Sequence, residues 1–362
     1  MDFALDRRRL LLAGAGALLA AGAAKAAGAA GFAPGAAPDS DSADIGPFTT
    51  IVSGIDGAEG IAIAADGTLY LSDSGGVLRW TAADGLVPVA RPGPIAGIAL
   101  DSGGMLIAAQ MGLLHDTPGP LLRIDPRSGA VETLVESLGG RRLVASNMPA
   151  VAADGGIYCT HSSWGNVRNI GRTDRQGFVY HYRDGKAEIV AEGLRGPNGC
   201  CLDADGRHLY VALTGEGRIR RWKRDGDGRL SAPEDYGPLL GEVVPDHHID
   251  AIRALPEAAR GRLGYCDGIA FDAAGNLWVT LPFANRLVLL TPERQLHSMA
   301  YDAAGRAVSM PTNILWAGPE LRDLHVVSRV SGTVAVARTR VPGLPLAGEA
   351  AQAPRSNSAS MR

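Results

Sequence analysis

A polar residue, an apolar run, a glycine eight positions later and then a strand bearing an aromatic side chain: the chain writes this order four times. The units start at Glu59, Asn147, Asn198 and Asp267, reach Gly67, Gly155, Gly206 and Gly275, and run on into Tyr70, Tyr158, Tyr210 and Trp278. They read EGIAIAADGTLYLSDS, NMPAVAADGGIYCTHSS, NGCCLDADGRHLYVALT and DGIAFDAAGNLWVTLP. Short alternating strands joined by Asp-Gly or Ala-Gly turns are hairpins. Hairpins recurring every few tens of residues build a propeller or a solenoid. Two further units complete the series: AGIALDSGGMLIAAQ, with Ala96 at the polar address, and NILWAGPELRDLHVVS, with Asn313 there and one residue inserted before its strand. The addresses lie 37, 51, 51, 69 and 46 residues apart, about the size of a four-stranded blade. The expected fold is all-β, a six-bladed β-propeller of four-stranded antiparallel blades.

Blades around an axis bring equivalent residues onto one ring, so the start of each inner strand faces the central channel. Packing alone would fill that ring with small or apolar side chains. Here it holds Glu59, Asn147, Asn198, Asp267 and Asn313, with only Ala96 bland. One Asn or Asp at such a turn is explained by capping, but four or five at the same repeat phase are not. Two carboxylates converging with amide oxygens repel each other and are costly to desolvate unless a cation sits between them. A hard divalent ion resolves this, because calcium takes six to eight oxygen ligands. The absence of His and Cys from the ring argues against a dedicated zinc site. The channel is thus expected to be a metal channel holding Ca2+, with Mn2+, Mg2+ or Zn2+ as alternatives.

The 362 residues, 46% hydrophobic, suffice for one large β domain, and 48 glycines with 22 prolines suit a turn-dense architecture. Arg7, Arg8 and Arg9 precede an apolar run from Leu10 to about Ala24, with small-residue sites such as Ala24-Lys25-Ala26 beyond. That is the layout of an export signal, and the consecutive arginines resemble the twin-arginine type. The expected organisation is a signal over 1–30, a flexible linker over 31–46, the propeller over 47–342 and a disordered tail over 343–362. The protein is then periplasmic or secreted, a client of the twin-arginine export machinery, without stable membrane insertion once the signal is removed. A net charge of -3 gives no electrostatic case for a nucleic-acid partner. Cysteines in an exported chain invite disulfides. Cys200 and Cys201 are adjacent, which strains a bond between them. Cys266 bridged to either, or buried free thiols throughout, are the remaining readings.

With these residues laid out, the chain resembles the gluconolactonase and senescence-marker-protein family of six-bladed propellers from about Phe48 to Arg340. The matching motifs are Glu59-Gly60, Asn147 before the third blade's strand, Pro197-Asn198-Gly199, Asp267-Gly268 before Leu-Trp, and Pro311-Thr312-Asn313 followed by Trp316-Ala317-Gly318. The resemblance implies that Glu59, Asn198 and Asp267 bind a divalent cation, usually calcium, and that Asn147 completes the shell or touches substrate. Two departures stand out. An Arg-x-Asn-Asp pattern common at the third blade reads Ala145-Ser146-Asn147-Met148, and a common Phe-Thr-Asp strand end reads Cys159-Thr160-His161. Both remove polar groups suited to a sugar lactone while keeping the implied ligands, which turns expectation toward a less hydrophilic lactone.

The chemistry that follows is metal-dependent opening of a lactone or other small ester. The metal polarises the carbonyl, Asp267 is the general base and the Asn147 NH2 holds the oxyanion. A phosphotriesterase on the same ring, a strictosidine-synthase-like enzyme and a non-catalytic envelope propeller binding small molecules are the alternatives. Substrate contacts are expected from His161, Asn313 and Trp164, with Asn166, His247 and His248 as further loop candidates. Ile249, Ile252 and Leu255 recur at helical spacing within the longest connection, Pro238 to Tyr265, and predict a short amphipathic helix that lids the pocket.

Overall fold

The structure, a computed structural model, describes residues 44–165, 169–170, 175–243 and 247–345. The expected signal, most of the linker, nearly all of the tail and Asn166 lie outside the described residues. Six four-stranded antiparallel sheets follow one another along the chain. Five are sequential meanders, beginning at Ile61–Ile63, Ile95–Leu100, Ser146–Val151, Pro197–Leu202 and Ile269–Phe271. In the sixth, Pro311–Ala317, Asp323–Ser328 and Thr333–Arg338 are completed by Thr49–Ser53 from the start of the domain. The start and the end of the domain thereby share one blade, which closes the circle.

The repeated aromatics hold blade to blade. Tyr70, Tyr158 and Tyr210 lie in the apolar clusters between successive blades. Trp278 meets Trp316 edge to face at 5.5 Å between the fifth and sixth. The turn glycines, Gly155 among them at φ +84°, take the left-handed backbone that the hairpins require. Adjacent residues on a strand face opposite sides. Cys200 accordingly points into the core between blades three and four and Cys201 into the core between four and five. All four cysteines are buried and free.

Inner strands approach one another very closely at the channel. A Cβ on Gly60 would stand 2.5 Å from the Ala96 carbonyl oxygen, on Gly97 2.5 Å from that of Asn147, on Gly199 2.3 Å from that of Asp267, and on Gly268 2.5 Å from that of Thr312. This is the physical reason for the glycine after most ring residues: each lets the next blade's inner strand in. The same register corrects one position. Thr312, not Asn313, stands where the sixth blade's ring residue belongs, and Asn313 occupies the following, glycine-equivalent place. The offset comes from strand length: Ala317, the last paired residue before the sixth blade's turn, lies five positions beyond Thr312, whereas Ile63, Val151 and Phe271 lie four beyond Glu59, Asn147 and Asp267, so counting back from the turn lands on Asn313.

The lid helix forms as predicted, though shorter. Helix α1 (Ile249–Arg253) and helix α2 (Glu257–Arg260) cross one end of the channel. Ile252 is fully buried with Leu263, Tyr265 and Phe283, and Ile249 and Leu255 pack against them. A two-residue ladder, Asn169–Ile170 on His247–His248, ties this connection to the long loop of blade three.

Candidate functional site: a ring of unpartnered oxygens

All six ring residues, Glu59, Ala96, Asn147, Asn198, Asp267 and Thr312, line one cavity of about 390 Å³ under the α1 lid. Each starts an inner strand, so six equivalent backbone positions converge on one space. Hydroxyls fix the ring backbone: Thr312 Oγ1 donates to the Glu59 carbonyl at 3.0 Å, Ser72 Oγ to that of Ala96 at 2.6 Å and Thr160 Oγ1 to that of Asn198 at 2.7 Å.

The two ring amides are oriented by neighbouring hydroxyls. Ser162 Oγ donates to the Pro197 carbonyl (3.1 Å) and Thr214 Oγ1 to that of Cys266 (2.7 Å). Each hydroxyl has thereby spent its proton and presents a lone pair. Asn147 Nδ2 donates to Ser162 Oγ at 2.8 Å, and Asn198 Nδ2 to Thr214 Oγ1 at 3.3 Å. Both Oδ1 atoms are left buried without a hydrogen-bond partner, as is Asp267 Oδ1. Buried acceptors without partners are rare, since each costs about 1–3 kcal/mol. Three around one cavity offer a ligand a set of acceptors already desolvated.

Charge points the same way. Burial pushes the Asp267 carboxyl well above the usual carboxylate range, the Glu59 carboxylate adds to the rise, and the Arg329 guanidinium offsets part of it. Arg329 is hydrogen-bonded to Glu59 and lines the same cavity. Two carboxylates and two amide oxygens make an all-oxygen donor set that fits a hard divalent cation. Among the described residues no cluster of three or more His, Cys, Asp or Glu side chains suits a metal.

The remaining sequence candidates fall elsewhere. His161 does not wall the cavity. It is fully buried behind it, its Nε2 accepting from the amides of Val144 (3.3 Å) and Ala145 (3.1 Å), its ring stacked on Phe178 at 4.4 Å. Burial, with Arg141 contributing, pulls its pKa down to about 3, so it is a neutral structural acceptor and no auxiliary base. Trp164 packs on the outer side of that ring, with the Arg141 guanidinium 4.2 Å above it. Asn313 lines a different cavity at the other end of the channel, where its Oδ1 accepts from the Ile314 amide at 2.8 Å. His248 caps α1, its Nδ1 accepting from the Asp250 amide at 3.3 Å; the His247 side chain lies outside the described residues. The Asn147 amide also differs from expectation. With its NH2 on Ser162, it offers the cavity an acceptor, which suits a cation or a substrate hydroxyl better than an oxyanion.

Four contributors escaped sequence reasoning: Thr312, Ser162, Thr214 and Arg329. The last three share a signal, since each closely follows the end of a blade's second strand, His161, Leu213 or Ser328.

Comparison with known proteins identifies the fold and the family. A 6-deoxy-6-sulfogluconolactonase from Pseudomonas putida is 27% identical over 271 residues, covering 62% of this chain and 85% of that protein. The solved structure of a gluconolactonase from Xanthomonas campestris superposes with a TM-score of 0.60 at 22% identity, over 82% of this chain and 89% of the other. That of regucalcin from Agrobacterium tumefaciens, a calcium-binding protein, superposes with a TM-score of 0.60 at 19% identity, over 83% of this chain and 98% of the other. The model of the SMP-30/Gluconolactonase/LRE-like region matches residues 57–330, so the chain that builds this ring belongs to the SMP-30/gluconolactonase/LRE-like family.

Proposed function

We propose that the protein hydrolyses a lactone in the ring cavity, with a divalent cation, calcium foremost, held by Glu59, Asn147, Asn198 and Asp267. The observation that carries the reading is the set of three buried, unpartnered oxygens beside Glu59. A relative bearing the name sulfogluconolactonase supports the class of substrate. When bound, such an ion supplies a Lewis acid for the ester carbonyl and a counter-charge for both carboxylates.

The chain's own residues do the rest. Asp267, when ionised, would take a proton from the attacking water on the carboxylate oxygen not engaged in holding the ion. The water oxygen bonds to the carbonyl carbon, the ring C–O bond breaks, and the proton on Asp267 passes to the departing alkoxide, giving the open hydroxy acid. Asn147 and Asn198, held by Ser162 and Thr214, keep their oxygens in place without reorganisation. The α1 lid and Phe283 exclude water and give the wall an apolar side.

The test is a pH-indicator assay of the purified protein against sugar, aliphatic and aromatic lactones, after EDTA treatment and again with calcium, manganese, magnesium or zinc restored. Hydrolysis lost in EDTA and restored by one ion establishes the reading and identifies the lactone class. Absence of hydrolysis with every ion overturns it, in favour of another ester, a phosphotriester or a binding role. Export to the periplasm belongs to the same proposal and is checked by fractionating cells that express the full chain.

A further inference from the structure

Arg329 is a cation already seated on the ring. Its Nη1 donates to Glu59 Oε2 and, at 3.2 Å, to the Gly57 carbonyl. It follows Ser328, the last residue of the sixth blade's second strand, and reaches Glu59 because the closing strand brings first and last blades side by side. The side chain is 31% exposed, so its stem has solvent to swing into, whereas the Glu59 side chain is 15% exposed. Arg253, the other arginine lining the cavity among the described residues, is engaged differently, with Nη2 3.8 Å from Met310 Sδ and Nη1 3.7 Å from Asp250 Oδ1.

A guanidinium and a divalent ion want the same carboxylate lone pairs, and each repels the other at short range. Glu59 can satisfy one fully or both poorly. We propose that Arg329 is a tethered counter-cation that competes with the divalent ion for Glu59, keeping the ring balanced when it is empty of metal and weakening its hold on the ion. The inference rests on reading the ring as a cation site. It predicts two effects of opposite sign from one substitution. Removing the guanidinium leaves two carboxylates facing each other across a buried cavity, which destabilises the metal-free protein. The same removal frees Glu59 and lifts a repulsion, which tightens cation binding.

The experiment is calorimetric titration of the full chain with Ca2+, and separately Mn2+, after EDTA treatment, together with thermal unfolding in EDTA. Arg329→Met should bind Ca2+ about tenfold more tightly than wild type, an ordinary coupling between sites, and should melt at lower temperature in EDTA. Arg329→Lys, which keeps the charge, should lie near wild type in both, and it decides the question through its Mn2+ and Ca2+ affinities if Arg329→Met fails to fold: a rise of more than threefold, roughly half the coupling in free energy, would show that charge at this position does not restrain binding and would overturn the proposal. Arg253→Met should tighten binding less than Arg329→Met. Equal rises would show bulk charge at work and would also overturn competition for Glu59. Unchanged or weaker Ca2+ binding by Arg329→Met, with wild type binding normally, refutes the competition and makes Arg329 a support for Glu59. If neither wild type nor any variant binds either ion, the cation site itself is refuted.

Discussion

The channel has two ends, and they are unlike in a way that volume does not reveal. The cavity at the far end, about 440 Å³, is larger than the one under the lid, about 390 Å³. Its polar lining is satisfied: Asn313 accepts from Ile314, Asp203 holds the His208 ring nitrogen at 2.7 Å, and Asp154 pairs with Arg224. Its remaining walls include Ile61, Ile98, Met148, Ile269 and Ile314. At the lid end, Asn147, Asn198 and Asp267 each keep a buried oxygen without a partner. A fold tolerates a hole lined by satisfied groups at modest cost, whereas three unpartnered acceptors around one space carry a penalty that a bound ligand would relieve. The difference teaches that hydrogen-bond accounts, more than cavity size, separate a site from a gap in the packing.

The largest expected effect attacks that difference at its centre. Asp267→Asn should lower turnover of the responsive lactone by at least about 100-fold, the usual worth of a general base, while the propeller stays folded. The substitution also removes a carboxyl whose pKa is raised in the folded state. A raised pKa means that the group's stabilising contribution is full below the unfolded value of 3.8 and is lost as pH rises through the folded value. In EDTA, then, wild type should lose melting temperature relative to Asp267→Asn as pH rises. Near-normal turnover by the variant, or parallel melting curves, would break the comparison.

His161 tests a different case, a buried ring whose Nε2 is held by two amides and whose Nδ1 has no partner, yet which lines neither cavity. Its pKa falls from 6.5 to about 3 on folding. A depressed value gives stability that is present above 6.5 and lost as pH falls toward 3, on the order of 5 kcal/mol across the full window. Acid should therefore unfold the protein within that interval, as followed by urea titrations at stepped pH. His161→Phe should flatten the dependence while costing about 1–3 kcal/mol at neutral pH, because the amides of Val144 and Ala145 lose their acceptor.

Gly199 sharpens the account of why the ring is so tight. Its missing Cβ would stand 2.3 Å from the Asp267 carbonyl oxygen, a backbone atom that cannot move alone. Gly199→Ala should cost about 1–3 kcal/mol by overpacking and should weaken Ca2+ binding by shifting Asp267. Gly226→Ala, where a Cβ would meet nothing within 4 Å, should do neither.

The fold was readable because a propeller repeats its grammar: turn glycine, aromatic strand and ring residue recur in phase, so six noisy signals reinforce one another. Five ring residues were readable for the same reason. The sixth is displaced by one because its inner strand runs one residue further before the turn, to Ala317, and a one-residue slip on a strand reverses the side chain. Arg329 was invisible for a different reason. It lies 270 residues from Glu59 along the chain, and only ring closure makes them neighbours. His161 and Trp164 fall elsewhere because a residue at or just beyond the end of a blade's second strand can turn behind the wall as easily as into the cavity. Nothing in their types distinguishes the two.

Asn313 provides the smallest expected effect and the cleanest control. It has the same side chain as Asn147, sits in a blade of the same design and lines the same channel, yet its oxygen is satisfied by Ile314 and its Nδ2 rests 3.8 Å from Met148 Sδ. Asn313→Ala should cost about 1 kcal/mol of stability, the worth of one buried hydrogen bond, and leave Ca2+ affinity and turnover at wild-type values. Asn147→Ala removes an unpartnered oxygen from the other end, so its main effect should fall on Ca2+ affinity and only secondarily on stability. Titrating both variants with Ca2+ decides the matter. Equal losses of affinity would mean that the two ends of the channel are coupled, and that the orphaned oxygens alone do not define the site.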